Sequence, residues 1–331
     1  MNKKDIREFN KIMSGIQKNL RNKKWNCILD SCPSNSINSH FLQQNGILDN
    51  IAEDNHVIEV KQEDMFNWSK NLPPLNFKSV SVKKALSLNL FCNIHDSEIF
   101  KPVETKPIDF TDYKNHLLLS YRVVCAEIRK KEINIETFTR LINSNSLRGK
   151  LPVENFETFI NGTKRGIQDL VIYKEKFENE IENNKNVFDF KVFKYPLIKV
   201  YCSASFSPYE TRKTPFENSL LKYVFIHVIP NNDELYIIVG YHKDNVKPFI
   251  TEYIDSWKDV ELNDLELNLT NLFATKVENW GLSPLIYKNM SNKLKTEFLK
   301  YAHENSMNHL MNQEVNFNLF ENKNYGIQHS I

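Results

Sequence analysis

The sequence predicts an α+β chain in three parts: a small loop-rich N-terminal module over 1–105, a helical segment over 106–186 and an α+β domain over 187–331. Three observations predict this organisation. Residues 25–104 carry three of the five cysteines and three of the nine histidines, in short segments broken by Pro33, Gly46, Pro73 and Pro74. Between Phe110 and Phe177, apolar residues recur at helical spacing. Beyond residue 187, runs rich in aromatic and β-branched residues alternate with further helical patterns.

Composition narrows the field. A chain of 331 residues that is 41% hydrophobic can bury a large core. Its 43 basic and 41 acidic residues leave a net charge of +2, so any basic surface is local. No window approaches the roughly 18 uninterrupted apolar residues that a membrane helix needs, and Met1 to Arg7 lacks the apolar core of a signal peptide. A cytoplasmic location with no membrane partner is expected. Cys27, Cys32, Cys92, Cys125 and Cys202 are odd in number, which favours metal ligation or burial over a disulfide framework. Asn67-Trp68-Ser69 and Asn161-Gly162-Thr163 match the glycosylation pattern but carry no weight in such a compartment.

Taken in order, Ile6, Phe9, Ile12, Met13, Ile16 and Leu20 predict an amphipathic helix over 3–20. The first 24 residues hold eight cations against Asp5 and Glu8. Lys3, Lys4, Arg7 and Lys11 are therefore candidate phosphate contacts, although a solvated cationic face would read the same way. The Asn45-Gly46 pair predicts a turn, and His56 opens a strand-like run to Val60. Helices are predicted over 110–131 and 154–182, and the polar run Glu178–Asn186 reads as a linker. Tyr223–Ile229 and Leu235–Gly240 flank Pro230–Glu234 as a β-hairpin. Both strands are apolar on nearly every residue, so both faces should be covered, with helical patterns at 246–257 and 284–304 as candidate cover.

The chemistry-bearing residues are Cys27-x4-Cys32, His40 and Cys92-Asn93-Ile94-His95-Asp96. Zinc takes four N/S ligands in a tetrahedron, and two pairs on tight turns can supply them as Cys27, Cys32, Cys92 and His95. His40 and His56 are further imidazoles that could displace one of the four. Burial as ordinary small residues is the competing reading. Cys202-Ser203-Ala204-Ser205 has no nucleophile-elbow glycines, and no Gly-rich phosphate loop is present, so no nucleotide cofactor is predicted.

A cysteine pair, the Ser39-His40 segment and the run Asn89-Leu90-Phe91-Cys92-x-x-His95-Asp96 together resemble the HNH nucleases of the ββα-metal superfamily that carry a treble-clef zinc site. The resemblance covers about a quarter of the chain. It implies that Cys27, Cys32, Cys92 and His95 hold structural Zn²⁺, and that His40 is a general base acting on water. It places Asp96 on a catalytic Mg²⁺ or Mn²⁺ ion and Asn89 as the positioning asparagine. Ser39 stands where many members carry a second cation ligand, and the distance from Cys32 to Cys92 requires an insertion, expected between Asn67 and Lys83. The activity that the resemblance implies is that of a metal-dependent nuclease acting on DNA or RNA, of the kind found in restriction or phage-defence effectors, with the C-terminal domain regulating or targeting it. The alternative is a non-catalytic zinc-stabilised module that binds nucleic acid, or a protein partner through the C-terminal domain.

Overall fold

The computed structural model describes residues 3–63, 73–105, 107–208, 220–308 and 315–326. Helix α1 (Lys3–Arg21) buries Met13, Ile16 and Leu20 against Leu141 and Leu147, as its apolar spacing requires. Strand β1 (Asn38–His40), the hairpin strands β2 (His56–Gln62) and β3 (Leu75–Ser81), strand β4 (Ser87–Asn89) and the short helices α2 (Asn93–Ile99) and α3 (Lys101–Glu104) follow. Two long helices, α4 (Tyr113–Ile142) and α5 (Val153–Asn183), pack on each other. Strands β5 (Phe188–Pro196), β6 (Val200–Phe206), β7 (Val224–Asn231) and β8 (Glu234–His242) come next. The chain then runs through α6 (Pro248–Asp255), α7 (Leu262–Asn271), β9 (Trp280–Leu282), α8 (Pro284–Asn289) and α9 (Asn292–Asn308). The architecture is α+β, and no helix of the described residues is long and apolar enough to cross a membrane.

Strands β1 and β4 form a two-stranded antiparallel ribbon, and the other seven form one antiparallel sheet in the order β3-β2-β9-β6-β7-β8-β5. Strand β7 is buried on nearly every residue because the sheet is covered on both faces. Tyr201, Phe225 and Ile238 pack with Leu117, Tyr173 and Phe177 of α4 and α5. On the opposite face Val200, Ile226 and Val239 pack with Ile250, Leu265 and Phe298 of α6, α7 and α9. The sequence anticipated cover from the C-terminal helices; the other layer is the α4–α5 pair. Helix α4 is buried all round from Asn115 to Ala126, as a helix apolar on every side must be.

Three local expectations are corrected. The polar run at 178–186 is no linker: α5 continues to Asn183, because Phe177 and Glu180 are buried and Ile181 packs on the core while Asn179, Glu182 and Asn183 face water. Glu180 accepts hydrogen bonds from Tyr113 Oη and from the backbone N–H groups of Lys185 and Asn186, capping the helix end, while Asn184 takes the left-handed conformation at φ 50°. Around Gly46 the chain forms a π-helical turn at Gln44–Leu48 instead of a tight turn, because Ile47 and Leu48 must be buried. The stretch from Asn67 to Lys83 belongs to a longer element than expected. It is the β2–β3 hairpin, whose residues 64–72, including the Asn67 sequon, lie outside the described residues. This hairpin joins the large sheet through β9, with Ile58 opposite Leu282, so the sheet runs across the expected boundary between 1–105 and 187–331.

Candidate metal centre

The first ligand pair lies on a knuckle closed by Cys27 N–H donating to the Ser34 carbonyl at 2.8 Å, with Ser31 in the left-handed region at φ 64°. The knuckle is stitched to the approach to α2 by Ile28 N–H to the Leu90 carbonyl at 2.9 Å, and the following strand by Ile37 N–H to the Phe91 carbonyl at 2.7 Å. Cys92 is the N-cap residue of α2, and His95 sits three residues on, so both side chains face the knuckle.

The four ligand atoms lie within 4.8 Å of one another. The Cys27 and Cys92 Sγ atoms are 3.5 and 3.3 Å from His95 Nδ1, and the Cys32 and Cys92 Sγ atoms are 3.9 Å apart. A tetrahedron with ordinary zinc bond lengths puts sulfur roughly 3.6 Å from nitrogen and roughly 3.8 Å from another sulfur, so the cluster fits a metal ion. The surrounding backbone suits thiolates. Burial pushes the Cys27 thiol up, but the N–H groups of Leu29 and Cys92 point at its sulfur and oppose the rise. The Ser34 N–H holds the Cys32 thiol below its ordinary range. All five cysteines are free, and Cys125 and Cys202 are simply buried.

Helices α4 and α5 hold this cluster in place. Arg129 is buried, donates to the Asn26 carbonyl at 2.7 Å and lies over the Trp25 ring. Lys174, also buried, pairs with Asp30 at 2.9 Å. Glu59, buried in β2, accepts from the Leu86 N–H and from Tyr201 Oη, both at 2.8 Å, tying the sheet to the chain entering β4.

His40, at the end of β1, and Asp96, in α2, line one cleft of about 300 Å³ together with Lys101 and Glu104. His40 Nε2 lies 3.1 Å from the Val82 carbonyl oxygen. A carbonyl only accepts, so Nε2 carries the proton and Nδ1 keeps a lone pair. Ser39 points the other way: it is fully buried, with its hydroxyl at the Phe91 N–H. Behind the cleft the buried Arg122 donates to Glu104 Oε1 at 2.5 Å, lies over the Phe100 ring, and faces Asp96 Oδ1 at 3.7 Å. Among the described residues only the Cys27, Cys32, Cys92 and His95 set converges as metal ligands do. His40 and His56 are not part of it; His56 is exposed at the start of β2, with Nδ1 at the Asp54 carbonyl.

The other expected residues separate. Asn89 lines a groove beside α1, not the His40 cleft. Lys4, Arg7 and Lys11 are exposed along α1, and the side chain of Lys3 lies outside the described residues. Arg122, Glu104, Arg129 and Lys174 were missed by sequence reasoning. The one available signal for Arg122 was a lone cation inside the apolar run Leu117–Ala126. No family model matches the chain, and no curated protein and no solved structure shows significant similarity to it, so the chemistry of the site rests on its own residues.

Proposed function

We propose that this chain is a zinc-folded nucleic-acid-binding protein. The observation that carries the reading is the convergence of Cys27, Cys32, Cys92 and His95 at tetrahedral spacing beside a short ribbon and a cationic helix. Zn²⁺ held by these four residues would supply folding free energy to the N-terminal region, roughly 10–16 kcal/mol in comparable small sites. Helix α1, with Lys83 and Lys84 just before β4, then presents cations to phosphate. Elemental analysis should find about one zinc per chain, lost in Cys92→Ala. Fluorescence anisotropy should detect binding of labelled DNA or RNA that weakens steeply as salt rises. A well-folded chain without zinc, or binding indifferent to salt, would overturn the proposal.

A second reading is the HNH-like nuclease with a role in restriction or phage defence, favoured by one observation: His40 and Asp96 share a cleft, and His40 Nδ1 can accept a proton. It requires Mg²⁺ or Mn²⁺ at Asp96. Asp96 and Glu104 face the positive charges of Arg122 and Lys101, and Ser39 is turned inward, so this cleft offers a divalent cation little net negative charge. For that reason binding without cleavage leads. Cleavage of plasmid or RNA with Mg²⁺ or Mn²⁺, abolished in His40→Ala and Asp96→Ala, would reverse the order.

A further inference from the structure

A groove of about 830 Å³ on the N-terminal region is walled by α1, the β1–β4 ribbon and the β2–β3 hairpin. Lys18 and Arg21 line one wall. Both are exposed, and neither makes an ion pair among the described residues, unlike Lys23, which pairs with Glu136, and Lys78, which pairs with Glu63. The opposite wall carries Asn38, Ser87 and Asn89 on one face of the ribbon, with Asn38 directly across from Asn89. The side chains of Asn38 and Ser87 donate to the carbonyls of Lys83 and Lys84, which brings two more exposed cations to the ribbon. The Asn89 amide has no bonding partner among the described residues, leaving both its donor and its acceptor for a ligand.

The groove and the His40 cleft are both lined from strand β1. Side chains two apart on a strand share a face, so Asn38 in the groove and His40 in the cleft lie side by side, roughly 7 Å apart along β1. A groove with unpaired cations on one wall and a free amide on the other matches a nucleic-acid strand, whose phosphates take the cations and whose base edges take the amide. Pairing occupies the Watson–Crick edges in a duplex, whereas an unpaired strand leaves them open to the Asn89 amide. Resting on the nucleic-acid-binding reading above, we infer that a single unpaired strand lies in this groove. Its phosphates sit on Lys18 and Arg21, a base edge sits on Asn89, and the strand continues over the ribbon toward His40. The outer end of α1, with Lys3, Lys4, Arg7 and Lys11, is then secondary.

The test is fluorescence anisotropy on the full zinc-loaded chain with labelled single-stranded oligo-dA, oligo-dT and a mixed-sequence RNA, beside a paired hairpin duplex. Lys18→Glu/Arg21→Glu should weaken single-strand binding at least ten-fold, and the milder Lys18→Gln/Arg21→Gln should lower the log–log salt slope by about 1 to 2. Asn89→Ala should shrink the difference between oligo-dA and oligo-dT, while Lys4→Glu/Arg7→Glu should lose less than the Lys18/Arg21 variant. Lys258→Glu/Lys288→Glu, an equal charge change on the C-terminal part, should bind as wild type does. Unchanged zinc content and melting temperature would show that the variants fold. Wild-type binding that survives Lys18→Glu/Arg21→Glu, or a duplex bound as tightly as a strand, overturns the groove assignment alone. A wild type that binds neither strand nor duplex overturns the nucleic-acid reading with it.

Discussion

Arg122 lies where water barely reaches, with Glu104 and the Phe100 ring against its guanidinium. Removing one member of such a pair leaves the other without its partner and opens a void on the ring. Arg122→Ala should therefore lower stability by about 3 kcal/mol. Glu104→Gln keeps an oxygen that can accept from Arg122 and leaves Asp96 at 3.7 Å, so it should cost about 1 kcal/mol or less. Urea denaturation midpoints check the contrast, and equal losses would mean that the burial of Arg122 has been misjudged. Gly281 in β9 is a second sensitive position. A Cβ there would sit 2.3 Å from Tyr201 Oη and 2.7 Å from the Ile58 carbonyl oxygen, between two paired strands. Gly281→Ala should cost about 3 kcal/mol, because the displaced Tyr201 hydroxyl also loses Glu59.

At the scale of elements, the β1–β4 ribbon is the least self-sufficient piece of structure. Each strand has three residues, and an isolated two-stranded ribbon is marginal in water. The knuckle and α2 flank it, so a metal ion bound by Cys27, Cys32, Cys92 and His95 would hold both ends of the ribbon region at once. Stripping zinc with a chelator should accelerate hydrogen exchange at Asn38–His40, Ser87–Asn89 and Asn93–Ile99 while leaving β6, β7 and β8 protected. Uniform protection before and after chelation would assign the ribbon's stability to packing alone. Helix α5 illustrates the opposite case. Its last turns look like a linker by composition, yet Phe177 and Glu180 anchor them to the core.

For the whole molecule, two features govern stability. The first is the shared sheet: β2 and β3 depend on β9, so a fragment of residues 1–105 supplied with zinc should lack the cooperative melting of the full chain. The second is buried histidine. Burial holds His116 and His242 below their ordinary range and pushes His227 down to about 3; His227 is clamped between Ser120 and Ser203 at 3.0 and 2.9 Å. An unfolded histidine takes a proton near pH 6.5, whereas folded His227 stays neutral until about 3. Unfolding thus takes up protons in that window, and stability is full above about pH 6.5 and falls as the pH drops toward 3. Melting temperature measured across this range should fall on acidification, and His227→Gln should flatten the fall; an unchanged slope would remove His227 as its source.

The sequence by itself determined the local features that one stretch of chain encodes. The period of α1, α4 and α5, the β7–β8 hairpin and the pairing of Cys27-x4-Cys32 with Cys92-x-x-His95 were all readable from spacing, because side-chain periodicity and ligand geometry act over a few residues. Tertiary structure decided what depends on distant partners. It placed β2 and β3 in the C-terminal sheet, turned Ser39 inward, lined the α1 groove with Asn89, and set Arg122 behind Asp96 and Glu104. A strand's edge and a charge's partner are chosen by elements tens of residues away, and no local pattern records that choice.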